Sequence, residues 1–187
     1  MADPRSSSGA RPTAAFGVGL GLAGAACGMT MLFLGMRSVM GIGGACAEGG
    51  PFVPVRPCPE GVPLLVVGGF WLGALSTAVY AWKVYAHKAP SLLAYFWPAL
   101  FLSLGWNFAQ FGFAPPDGSG LVWGWIVCAA VFLLMGGLPL VIVVWAKRSG
   151  GVGVLGTPMS AYWMALQAAA IALGIFGALR IFAAVTS

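Results

Sequence analysis

Five long apolar runs constrain the fold of this chain more than any other feature of its sequence. An α-helix rises about 1.5 Å per residue, so about 20 apolar residues are needed to cross the hydrocarbon core of a bilayer. We therefore predict an all-α transmembrane bundle of five spans within 14–184, preceded by a polar tail at 1–13 that we expect to be disordered. The five spans are predicted at about 14–36, 63–82, 91–113, 121–145 and 159–184.

The first run has a second interpretation, as a secretory signal. Arg5 and Arg11 precede it, and Leu-Ala-Gly-Ala-Ala-Cys at 22–27 resembles a lipoprotein cleavage site. The apolar stretch continues through 31–34, however, well past the end of a cleaved signal whose apolar region has about 7–15 residues. We therefore expect an uncleaved helix.

Composition excludes a soluble domain. Hydrophobic residues make up 60% of the chain and charged residues 7%, whereas soluble domains have about 25% charged residues. The net charge of +5 would suggest nucleic acid as a partner of a soluble protein, but no cluster of Lys and Arg with interleaved aromatic residues is present. We expect the lipid bilayer as the partner of this surface, and no nucleic acid.

The distribution of the basic residues predicts the orientation in the membrane. Lys and Arg concentrate on the cytoplasmic side of membrane proteins. With the N-terminus inside, the inner segments carry six basic residues and the outer segments three, which are Arg37, Arg56 and Arg180. The count favours a multi-pass protein of the cell membrane with a cytoplasmic N-terminus and an outer C-terminus.

The longest break between apolar runs is the segment 37–62, which this orientation makes an outer loop. It contains Cys46 and Cys58, separated by a stretch with three prolines. An oxidising exterior permits a disulfide there, and closing a loop of this size contributes about 3 kcal/mol in the chain-entropy model. We predict a Cys46–Cys58 disulfide that staples the outer loop, with two free thiols as the alternative.

Several segments resemble one family. Met36-Arg-Ser-Val-Met40, the loop motif Gly-Gly-Ala-Cys-Ala-Glu-Gly-Gly-Pro-Phe at 43–52, and Cys-Pro-Glu-Gly-Val at 58–62 are similar to a family of uncharacterised small multi-pass membrane proteins of actinobacteria. The segments 97–108 and 121–125 resemble the same family, so the likeness covers most of the chain after the first run. It implies a membrane protein with a motif-bearing loop, and it brings no activity, substrate or cofactor.

The sequence contains few residues of the types that act in catalysis. His87 is the only histidine and lies in a short basic segment, and no C-x-x-C pair or phosphate-binding glycine motif is present. No Asp, Glu, Lys or His lies near the centre of a run, which disfavours proton or ion coupling. We therefore expect no enzyme, no catalytic residue, no metal and no cofactor.

Polar residues within the third run are the best candidate for a functional face. Ser103, Asn107 and Gln110 are spaced i, i+4 and i+7, so they share one side of a helix, and Gln167 of the fifth run is a possible partner for them. Such groups avoid lipid and face protein or a water-filled cavity. The first hypothesis is a structural, assembly or accessory subunit with a membrane-protein partner or a second copy. The alternative is a small transporter or channel component lined by this face.

Glycines form a second regular pattern, on the first run. Gly17, Gly21, Gly24 and Gly28 share one face and make two overlapping G-x-x-x-G units. Small residues on one face let another helix approach closely in a membrane. With 29 glycines in the chain, chance spacing is an equal alternative.

Overall fold

The computed structural model describes residues 12–42, 59–116, 118, 120–148 and 160–186, which form five helices and no strand. The all-α prediction is confirmed, whereas the predicted Cys46–Cys58 disulfide lies outside the described residues. The helices are α1 (Pro12–Gly41), α2 (Leu64–His87, whose first turn Leu64–Gly68 is a π-helix), α3 (Leu93–Phe113), α4 (Trp123–Arg148) and α5 (Ala161–Val185). All of them except α3 are long and apolar enough to cross a membrane.

Helix α1 is the centre of the bundle. It packs against α2, α5 and α3, whereas α4 packs mainly along α3. Half of the most apolar window of α1 is buried, compared with 17–22% in α2, α4 and α5. The outward faces of these three helices carry large exposed apolar side chains such as Leu134, Val141 and Leu173. Lipid is the solvent that such a surface requires.

Contacts between the helices show that their directions alternate along the chain. Gly21 of α1 lies against Tyr80 and Gly28 lies against Gly73, so α2 runs opposite to α1. Asn107 of α3 bonds to the Phe33 carbonyl, whereas Phe96 stacks on Tyr80, so α3 runs parallel to α1. We call the two ends of the bundle the Pro12 end and the Gly41 end, after the limits of α1.

The remaining contacts complete this alternation. Gly105 and Gly112 of α3 lie against Leu133 and Ile126, so α4 runs opposite to α3. Leu166 of α5 lies beside Gly19, and Gly174 lies beside Ala26, so α5 is again parallel to α1. The described chain therefore enters α1 at the Pro12 end and leaves α5 at the Gly41 end.

The glycine face of α1 is a helix-packing surface. All four of its glycines face α2: Gly17 meets Lys83, Gly21 meets the Tyr80 backbone, Gly24 meets Ser76 and Gly28 meets the backbone of Gly73 and Gly69. Lipid supplies no hydrophobic drive between helices, so close backbone approach and van der Waals contact must hold them together. The contacts favour the packing interpretation of the pattern over chance spacing.

A tryptophan side chain replaces the backbone hydrogen bond that Pro139 removes from α4. Proline has no backbone N–H, so the carbonyl four residues earlier, that of Met135, loses its helical partner. The indole Nε1 of Trp97 on α3 donates to this carbonyl at 3.1 Å. The bond joins α3 to α4 at a point where an unpaired carbonyl would otherwise face lipid.

Replacing Trp97 by phenylalanine is expected to lower the free energy of unfolding by about 0.6 kcal/mol, the average for interhelical hydrogen bonds in a membrane protein. In a Pro139→Ala background the restored N–H serves the Met135 carbonyl, so the bond to the indole becomes redundant. A double-mutant cycle measured by denaturant unfolding in detergent checks this coupling. An equal loss in both backgrounds would show that Trp97 contributes through packing alone.

Candidate functional site

The first polar cluster lies toward the Gly41 end, between α1 and α3. The sequence predicted that the first span ends at 36, which would place Arg37 in the outer loop, but α1 continues to Gly41. The Ser38 hydroxyl donates to the Leu34 carbonyl, and Met40 is 2% exposed, so this last helical turn is packed against the bundle. Arg37 therefore projects from a helix and is half-buried.

Three side chains of α3 surround the guanidinium of Arg37. Its Nη1 donates to Gln110 Oε1 at 2.7 Å and lies 3.5 Å from Asn107 Oδ1. Its central carbon lies 5.3 Å from the centroid of the Phe111 ring, within the range of a cation–π contact. We call Arg37, Asn107, Gln110 and Phe111 the Arg37 cluster.

Asn107 is the buried base of this cluster. Its side chain is 0% exposed, and its Nδ2 donates to the Phe33 carbonyl of α1 at 3.1 Å. The donor contact leaves Oδ1 directed at Arg37. One amide thus binds the backbone of α1 and orients a charged side chain of the same helix.

The three residues of the predicted polar face have different surroundings. Ser103 is half-buried and donates to the Leu100 carbonyl of its own helix at 2.8 Å. Asn107 is buried against α1, and Gln110 is exposed apart from its bond to Arg37. The structure brings Asn107 and Gln110 together around a cation, whereas Ser103 bonds only within α3.

Arg37 and Phe111 are the two members of the cluster that the sequence did not predict. From the sequence, Arg37 is expected in an outer segment that follows the first span. One signal was available, since Arg37 and Gln110 both lie close to the predicted outer ends of their runs, the first and the third. Their pairing also requires that α1 continues as a helix past 36, which a hydropathy limit does not reveal.

A second buried polar cluster holds the turn between α2 and α3 at the Pro12 end. Tyr80 is 0% exposed, and its hydroxyl accepts a hydrogen bond from the Leu92 N–H at 2.9 Å. Gln167 of α5 is 1% exposed, and its Nε2 donates to the Pro90 carbonyl at 2.9 Å. We call these two side chains the turn clamp, because they satisfy backbone groups of the connection between α2 and α3.

The position of Gln167 corrects the expectation that it would meet the polar face of α3. Because α5 starts at the Pro12 end and runs parallel to α1, Gln167 lies close to that end, whereas Asn107 lies toward the other. Its Oε1 is buried and has no hydrogen-bond partner among the described residues. Gln167 therefore belongs to the turn clamp and not to the Arg37 cluster.

The two clusters consist of hydrogen-bonding side chains, one aromatic ring and one cation. Within the described ranges no three His, Cys, Asp or Glu side chains lie together as metal ligands would. Arg37 carries a permanent positive charge and cannot act as a general base. The described cysteines, Cys27 and Cys128, are free thiols within α1 and α4. Of the two clusters, the one around Arg37 has the charge and the exposure to hold a small ligand.

Comparison with known proteins gives no match. No protein family, no curated protein and no solved structure is significantly similar to this chain. Any function must therefore be argued from the two clusters and the arrangement of the helices.

Proposed function

We propose that this chain is an integral protein of the cell membrane without enzymatic activity, acting as a structural, assembly or accessory subunit. The observation that supports this role best is the use of its buried polar groups. Asn107, Tyr80 and Gln167 each bond to backbone of another segment. Side chains used in this way hold helices and turns in place, as a scaffold requires.

The same observation disfavours the alternative, a small transporter or channel component. A conducting path needs polar groups that exchange partners with a solute or with water. Ser103 and Asn107 instead bond to carbonyls of α3 and α1, and Gln110 bonds to Arg37. These three side chains have their principal partners within the protein.

We further propose that α3 is the fifth span. It has 21 residues, which is about 31 Å of helix. Its tryptophans and its two amides lower its hydropathy, but it lies beside α1 from the level of Tyr80 to that of Arg37. A helix that accompanies a spanning helix over this distance crosses the same layer, and its buried amide is shielded from lipid by α1.

Five crossings predict opposite sides for the two termini. With the Lys and Arg count, the N-terminus is expected in the cytoplasm and the C-terminus outside. A reporter that is active only outside is expected to work when fused after Ser187 and to fail when fused at Lys88 or Lys147. An inactive C-terminal fusion together with active fusions at both Lys88 and Lys147 would reverse the orientation, whereas activity at Lys147 alone would leave α3 outside the span count.

The outer loop and the family resemblance suggest where a partner would bind. We propose that the outer loop, stapled by Cys46–Cys58, contacts the partner, and that the chain belongs with the uncharacterised actinobacterial membrane proteins that segment 43–62 resembles. The helices support the loop physically, because α1 and α2 remain in contact as far as Gly35 and Leu65, close to its two ends. A packed helix pair fixes the positions between which the loop connects.

Crosslinking in intact cells tests the role as a subunit. A photoreactive residue is placed at Leu134 or Val141, which are exposed on α4, with the buried Ala129 of the same helix as the matched control. We expect a discrete protein product, either a partner or a second copy, from the exposed positions only. Solute-dependent flux through liposomes that contain only this chain would contradict the proposal and favour a transporter.

A further inference from the structure

The guanidinium of Arg37 is a half-buried charge whose described partners are all uncharged. Its hydrogen bonds go to two amide oxygens, and its other neighbour is an aromatic ring. No carboxylate of the described segments pairs with it. A buried or half-buried charge is costly without a counter-charge, so an anion at this position would stabilise the protein.

The hydrogen-bonding capacity of Arg37 is only partly used. Guanidinium has five N–H donors in a planar fork, and both contacts to α3 come from the single nitrogen Nη1. No hydrogen bond joins Nε or Nη2 to a described residue. These two nitrogens form the edge that binds a phosphate or a carboxylate with two parallel hydrogen bonds. The bonds to α3 therefore fix the side chain and leave that edge for a ligand.

The location of the cluster selects the ligand. Arg37 lies four residues before the end of α1, and Phe113 and Trp123 are exposed at the same end of the bundle. Exposed tryptophans at helix ends, such as Trp123, mark the level of the lipid headgroups, where phosphate is the abundant anion. Gln110 is exposed beside Arg37, so its Nε2 is available as a further donor.

We propose that the Arg37 cluster binds the phosphodiester group of a phospholipid at the Gly41 end of the bundle. Arg37 supplies the charge and the paired donors. Asn107 is a positioning residue, since it is buried and bonds to α1, and Phe111 lies against the guanidinium. The inference goes beyond the role as a subunit and holds for either orientation of the bundle.

Lipid binding by the purified full-length protein tests the site. Native mass spectrometry in detergent compares phosphatidylglycerol with diacylglycerol of the same acyl chains, which lacks the phosphate. Wild type is expected to bind phosphatidylglycerol in preference to diacylglycerol. Arg37→Gln is expected to bind phosphatidylglycerol about tenfold more weakly, the factor that corresponds to 1.4 kcal/mol. Arg180→Gln, which removes an exposed arginine of α5, is the charge-matched control and should bind as wild type does.

Four outcomes would overturn the proposal, and a fifth applies if Arg37→Gln does not fold. The first is equal binding of phosphatidylglycerol by Arg37→Gln and wild type, and the second is equal binding of diacylglycerol and phosphatidylglycerol by wild type. The third is full competition by inorganic phosphate, which would make the ligand a free anion. The fourth is a lipid site that appears only in Glu48→Gln, since a loop carboxylate would then be the native counter-charge. If Arg37→Gln does not fold, Arg37→Lys decides, because it keeps the charge and loses the fork. Binding by that variant equal to wild type would also contradict the proposal.

Discussion

Replacing Gly28 by alanine is expected to force α1 and α2 apart. A Cβ atom at this position would lie 2.5 Å from Gly73 Cα and 2.6 Å from the Gly69 carbonyl oxygen, and both are backbone atoms. A side chain can rotate away from a clash, but backbone cannot move without displacing its whole helix. Overpacking of this kind costs about 1–3 kcal/mol, and we expect Gly28→Ala near the upper value. Unfolding by denaturant titration in mixed micelles measures the loss.

Gly19→Ala is the matched control on the same helix. A Cβ there would meet only Leu166 Cδ1 at 3.6 Å, which is ordinary van der Waals contact. Alanine also favours helix over glycine by about 0.8–1.0 kcal/mol in soluble hosts, so this variant should be neutral or more stable. Similar losses for both variants would mean that helix flexibility, and not the contact with α2, explains the effect at Gly28.

Much of the fold follows from the sequence, because its main determinants are local. A run of about 20 apolar residues becomes a helix in a membrane whatever it packs against, since its backbone groups have no other partners there. The face shared by Gly17, Gly21, Gly24 and Gly28 is visible for the same reason. The identity of the helix that covers that face is not determined by local sequence. It depends on how α2 returns along α1, and no pattern within either run specifies that.

The limits of the helices were the first source of error at the candidate site. Hydropathy ended the first span at 36, at the first charged residue. Helix α1 continues through Arg37, and two amide oxygens of α3 accept hydrogen bonds from its guanidinium. A charged residue ends an apolar run but does not end a helix when a partner lies within reach.

The register between helices was the second source of error. The spacing of Asn107 and Gln110 placed them on one face, but Gln167 was assigned to that face by estimated depth alone. Gln167 lies near the start of α5 and Asn107 lies toward the end of α3, and because both helices run parallel to α1 the two side chains are at different ends of the bundle. The structure places Gln167 on the Pro90 carbonyl, a contact across 77 positions of the chain. Long-range contacts of this kind have no sequence signal in a single chain.

The Gln167 side chain is also where the largest effect of a polar substitution is expected. Gln167→Glu keeps the size and shape of the side chain but replaces the amide that donates to Pro90 by a second acceptor. The residue is 1% exposed, and the amide oxygen that is already present has no partner among the described residues. No described residue donates to this oxygen, so a carboxylate in the same position would be buried without a partner. An uncompensated buried charge costs about 3–5 kcal/mol, so we expect this variant to unfold readily or to fail to accumulate.

Gln110→Glu makes the same chemical change at the opposite end of the bundle and serves as its control. Gln110 Oε1 already accepts from Arg37 Nη1, so a carboxylate at this position would gain an ion pair instead of losing a donor. Because the site is exposed, we expect the stability of this variant to stay within about 1 kcal/mol of wild type. The two variants are compared by yield from membranes and by thermal unfolding in one detergent. A stable Gln167→Glu protein would mean that its carboxyl group stays protonated and donates to Pro90, which an infrared carboxylic acid band would show. A stable variant without that band would contradict the turn clamp itself.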